Sequence, residues 1–230
     1  MIISHQNKYI FLRIPKTAST SVAIALSKYC GPSDVVTKVS KVDEELRRSL
    51  GYVGPQNFER KFWKYDLSDW RRILFQHKPA LSFKHSTAVQ VKKYAGNVIW
   101  ESYLKFCVVR NPFDRAVSLY YWDIRNKDVT VDLNEYILNS NAGRLSTWNR
   151  FTIYNTPAMD IICRFENLQN DLDIVSTKIG LPPLELPKTK TNYRKDHTHY
   201  SKLINSKARA RIEEICALEI KYFDYYWNEA

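Results

Sequence analysis

Three times along the chain an apolar run of strand length ends in a turn and passes straight into a helical pattern. Residues 8–14 (KYIFLRI) stop at Pro15, and residues 19–30 then place Val22, Ala25, Leu26 and Tyr29 on one helical face before Gly31 and Pro32 close the helix. Residues 103–109 (YLKFCVV) run through Arg110, Asn111 and Pro112 into a helix predicted over 113–124. Proline suits a first helical turn, where its missing N–H has no intrahelical partner to lose. Residues 160–165 (DIICRF) lead into a third helix over 167–179, stopped by Gly180 and the Pro182-Pro183 pair. Short buried strands alternating with helices favour a parallel sheet covered on both faces. The predicted fold is α/β, a three-layer arrangement with a central parallel sheet covered by helices.

With 230 residues the chain is long enough for one such core and too short for two full domains, so residues 1–230 are read as a single domain. Residues 33–80 break the rhythm and are expected to form an insertion or cap. Residues 86–94 are predicted to form a short helix with Ser86 as its cap, ended at Gly96-Asn97, and residues 206–222 a final amphipathic helix. The formal charge of +11 points to anionic partners, but the 35 Lys and Arg are mixed with 24 acids and form no basic tail, so nucleic acid is not expected. The opening apolar run is too short and too interrupted for a signal peptide or a membrane insertion, and a cytoplasmic protein is expected. Cys30, Cys107, Cys163 and Cys216 stand far apart without metal spacing and are expected as buried free thiols.

The first turn carries the most chemistry. Pro15, Lys16, Thr17, Ala18, Ser19, Thr20 and Ser21 put one lysine and four hydroxyls between a buried strand and a helix start. Backbone N–H groups and partial positive charge at a helix N-terminus hold phosphate. Lys16 adds a full charge where a leaving oxygen would become negative. The turn has no glycine and its lysine precedes the hydroxyls, so the GxxxxGK[ST] pattern of ATP and GTP sites is absent. The alternative for this turn is an ordinary cap, with Ser19 capping the helix and Lys16 solvated. In the second turn Arg110 follows a buried strand, where ligands of open α/β sheets bind, and its planar fork suits a phosphate; Ser118 lies two helical turns further on. The alternative here is an Arg110–Asp114 ion pair with Ser118 facing solvent.

The segment from Pro15 to Ser21 resembles the 5′-phosphosulfate-binding motif of the carbohydrate sulfotransferases that use 3′-phosphoadenosine 5′-phosphosulfate (PAPS), and RNPFDRAVS over 110–118 resembles their 3′-phosphate-binding motif. Residues 164–168 (RFENL) are similar to a recurrent segment of the bacterial and 2-O-sulfotransferase-like members. The resemblance implies a P-loop-like fold, PAPS as donor and 3′-phosphoadenosine 5′-phosphate (PAP) as product. It implies that Lys16 meets the phosphosulfate, that the turn through Ser21 cradles the 5′-phosphate, and that Arg110 and Ser118 hold the 3′-phosphate.

Transfer to a hydroxyl needs a base, since a neutral alcohol must lose its proton as the new bond forms. His85, which precedes the short helix and resembles a histidine found between the two motifs in those relatives, is the expected base, with His77 and Glu101 as substitutes. Lys188, Lys190 and Arg194 are expected to close over the nucleotide from the loop before the last helix, and no metal is called for. The acceptor is expected to be a glycan or other small molecule with a free hydroxyl. Two other functions compete: a P-loop phosphotransferase, which would need magnesium ligands that the sequence does not place, and a non-catalytic nucleic-acid-binding protein using the charge and the aromatics of residues 58–75.

Overall fold

The computed structural model describes residues 1–59, 67–76, 86–126, 131–187, 196 and 198–229. A hairpin of β1 (Ile2–Ser4) and β2 (Tyr9–Leu12) is followed by α1 (Ser19–Ser27), β3 (Val35–Val36) and α2 (Lys41–Ser49). Next come α3 (Leu67–Gln76), α4 (Ala88–Ala95) and α5 (Asn97–Ser102), then β4 (Leu104–Val109) and α6 (Pro112–Ile124). The helices α7 (Leu133–Asn139), α8 (Ala142–Leu145) and α9 (Trp148–Phe151) lead to a small hairpin of β5 (Thr152–Ile153) and β6 (Thr156–Pro157). The strand β7 (Ile161–Arg164), a 3-10 turn at Phe165–Asn167 and α10 (Leu168–Lys178) follow, and α11 (Tyr200–Leu203), α12 (Ser206–Ile215) and α13 (Ala217–Phe223) complete the order.

The main sheet has the order β3-β1-β2-β4-β7. Its β2, β4 and β7 run parallel, in a register that sets Phe11 beside Phe106 and Cys107 beside Ile162. By contrast β1 is antiparallel to both β2 and β3, so the sheet is mostly rather than wholly parallel. Successive side chains of a strand point to opposite faces, and the core divides accordingly. Tyr9, Phe11, Phe106 and Val108 pack with Val22, Leu26, Leu172 and Val175 of α1 and α10. Ile10, Leu12, Cys107 and Val109 pack with Val91 and Trp100 of α4 and α5. Helices thus flank the sheet on both sides, and a third cluster joins α6 to α7, α11 and α12.

Several expected boundaries move. Residues 33–59 contribute to the sheet itself, through the edge strand β3 and a bridge between Val36 and Gln56. The cap of α4 is Thr87, which accepts from the Gln90 N–H while the Gln90 side chain accepts from the Thr87 N–H, so Ser86 is not the cap. Asn97 opens α5 rather than ending α4, because Gly96 at φ 84° turns the chain between them. The final helix is two helices, parted at Cys216, whose thiol donates to the Leu145 carbonyl at 3.3 Å.

Candidate active site

Because β2 and β4 are parallel neighbours, their C-terminal ends deliver residues 13–18 and 110–111 to one edge of the sheet. The first turn reaches α1 through two left-handed residues, Lys16 at φ 66° and Ala18 at φ 57°. A left-handed non-glycine residue costs about 1–2 kcal/mol, so the turn needs bracing. Thr17 and Ser19, both buried, donate their hydroxyls to the Ile14 carbonyl at 3.1 and 2.6 Å. Buried Arg13 donates to Thr20 Oγ1 at 3.3 Å and to the Lys38 carbonyl at 3.1 Å. Ser19 is therefore a brace inside the first turn of α1, not its cap. The cap is Ala18, which has no side chain to offer, and α1 has no acidic residue in its first turn. Thr20 and Ser21 are buried at the same helix start.

The second turn is built differently. Asn111 caps α6 by accepting from the Phe113 N–H at 3.0 Å, Pro112 opens the helix, and the Asn111 N–H donates to Glu166 at 2.6 Å. Arg110 donates from Nε and Nη2 to Asp114 at 2.8 and 2.5 Å, lies 3.9 Å above the Phe165 ring, and donates from Nη1 to the Lys16 carbonyl at 3.3 Å. The Arg110–Asp114 pair weighed from the sequence is thus present, and Arg110 also bridges to the other motif. A guanidinium has five N–H donors; these bonds engage three, leaving one on each terminal nitrogen for an anion.

Asp114, Ser118 and Trp122 recur every four residues and share one face of α6. Ser118 is half-buried, and Lys16 Nζ stands 4.6 Å from the Trp122 ring centroid, so the lysine is not simply solvated. Glu101 is exposed and paired with Lys92 at 2.9 Å. It sits on α5, which precedes β4, whereas Arg110 follows that strand's last residue; a six-residue strand puts them about 20 Å apart. His5 hydrogen-bonds the Tyr103 hydroxyl at 2.9 Å before the same strand, and His199 caps α11. His77, His85, Lys188, Lys190 and Arg194 lie outside the described residues. All four cysteines are buried and unpaired, and burial pushes the thiols of Cys30, Cys163 and Cys216 up to about 12, which leaves them inert.

Arg13 and Trp122 were not singled out from the sequence, although Trp122 repeats the four-residue spacing of Asp114 and Ser118, and Phe165 and Glu166 entered only as part of the 164–168 segment, without a role.

A family model described as the sulfotransferase family matches residues 1–151, which include both turns and the whole of α6. The chain belongs to the sulfotransferase family. An uncharacterized protein of Archaeoglobus fulgidus is 30% identical to this sulfotransferase-family chain over 41% of its length and 82% of the relative's. No solved structure matches it. Among the described residues no helix is long and apolar enough to cross a membrane, and no group of three or more His, Cys, Asp or Glu is placed to hold a metal ion.

Proposed function

We propose that the chain transfers a sulfuryl group from PAPS to an acceptor hydroxyl, with a carbohydrate as the acceptor class and a P-loop-like site at the sheet edge. One contact carries this reading: Arg110 Nη1 donates to the Lys16 carbonyl, so the two anion-binding turns, 94 residues apart in sequence, form one site. A donor with phosphate groups at both ends fits such a pair. The start of α1, without a capping side chain or first-turn carboxylate, suits the 5′-phosphate, with the hydroxyls of Thr20 and Ser21 at the same helix start, and the two uncommitted N–H groups of Arg110, with Ser118, suit the 3′-phosphate.

In the reaction the acceptor oxygen forms a bond to sulfur as the bond from sulfur to the phosphate oxygen breaks, and PAP leaves with the electron pair. Lys16 stabilises the charge growing on that leaving oxygen. The acceptor proton passes to His85, and Lys188, Lys190 and Arg194 close over the nucleotide.

The test is a titration with PAP against ATP. PAP, which has both phosphates, is expected to bind by calorimetry and to raise the melting temperature, and ATP, without a 3′-phosphate, much less. Equal stabilisation by the two nucleotides would remove the donor assignment and favour a phosphotransferase. His85→Ala is expected to retain PAP binding and to lose about 10²–10⁴-fold in rate on any acceptor found; a loss of PAP affinity instead would put His85 in the donor site.

A further inference from the structure

One face of α6 meets both motif cations. Asp114, at its start, holds Arg110; Trp122, eight residues and about 12 Å further along, lies under the Lys16 ammonium at 4.6 Å. Arg125 lies 3.6 Å from the same ring centroid, so Trp122 is a half-buried aromatic set among cations rather than a core side chain. The Lys16 backbone is held separately, by the bond from Arg110 to its carbonyl in a turn where Lys16 has a left-handed φ of 66°.

We propose that Trp122 is a positioning residue that holds the Lys16 ammonium beside the phosphosulfate turn until the donor draws it away. The inference rests on Lys16 as the donor's contact. A cation is attracted to the negative face of an aromatic ring, but more weakly than to an anion in a charge-assisted hydrogen bond. The ring therefore restricts the long lysine side chain to one region without keeping it from the donor. It also makes the indole a reporter, because donor binding removes a cation from its face.

The experiment follows intrinsic tryptophan emission during PAP titration, with calorimetry giving affinity separately. Wild-type protein is expected to change its emission on saturation with PAP. Trp122→Phe, which still offers a ring, is expected to bind PAP and lose the change, since the indole that meets Lys16 is gone. Lys16→Met, at saturating PAP, is expected to lose the change with Trp122 in place. Trp122→Leu, with no ring to compete for the ammonium, is expected to bind PAP about 2–5-fold more tightly, the equivalent of an exposed cation–ring contact. An emission change that persists in Trp122→Phe or Lys16→Met, or a Trp122→Leu affinity equal to wild type, would overturn the proposal while leaving PAP as the ligand. If PAP fails to bind at all, the donor reading falls and this inference falls with it. Should Trp122→Leu not fold, the Phe and Met variants decide alone.

Discussion

The two turns at the sheet edge solve the same problem, starting a helix after a buried strand, by opposite means. The first spends backbone strain: two left-handed residues, hydroxyls turned inward onto Ile14, and a helix whose cap is an alanine. The second uses side chains: Asn111 caps, Pro112 opens the helix, and Glu166 takes the Asn111 N–H. A helix whose first turn is satisfied by its own side chains has less to offer a ligand than one left without a cap. On the proposed reading the turns have different tools: the first its backbone end and Lys16, the second Arg110 and Ser118.

The largest expected effect is on Lys16. Lys16→Ala should slow PAPS turnover by about 10²–10³-fold, the cost of removing one donor aimed at developing charge, with the fold intact by circular dichroism. Wild-type turnover would show that the first turn works by backbone alone. Arg110→Ala should weaken PAP binding by about 1.5–3 kcal/mol, and Arg110→Lys should recover only part of this because the fork is lost. Unchanged affinity in calorimetry would move the 3′-phosphate away from the second turn.

Asn111→Ala should cost about 1 kcal/mol of stability, a fall of about 2–4 °C in melting temperature for a chain of this size. No fall would mean that Glu166 and Pro112 suffice to start α6. The smallest effect, of opposite sign, belongs to Ala18→Gly. Relief of about 1–2 kcal/mol of left-handed strain, less about 0.4–1 for a looser unfolded chain, should leave a net gain of roughly 0.5–1 kcal/mol. A destabilised Ala18→Gly protein in denaturant unfolding would show that the strain of the first turn is smaller than its φ implies.

The strands at the candidate site were legible because each lies in a mainly apolar run: residues 8–14, 103–109 and 160–165 contain β2, β4 and β7, of which β2 and β4 are buried almost throughout and β7, at the sheet edge, only in part. The short strands β1 and β3 were not, since three and two residues are too few to show a period. The cap of α4 was placed one residue early because Ser86 and Thr87 are equally good capping types, and only the reciprocal bond with Gln90 separates them. Lys16, Arg110 and Ser118 were chosen from residue type and position, and the contact between Arg110 and the Lys16 carbonyl was not foreseen. The inward turn of Thr17 and Ser19 was not, because four neighbouring hydroxyls look alike until the Ile14 carbonyl is there to receive two of them.

By itself the sequence determined the alternation of strand, turn and helix, the two basic turns and the absence of a glycine-rich phosphate loop, all of which follow from local residue type and period. Only the tertiary structure decided that the two turns share an edge, because pairing of β2 with β4 is a contact between residues about 95 apart that no local pattern encodes. It likewise decided that Lys16 lies on Trp122 and that Arg110 divides its donors between Asp114 and the Lys16 carbonyl. Directional contacts of this kind depend on where a parallel register brings two chain segments, and register is set by the packing of both faces of the sheet at once.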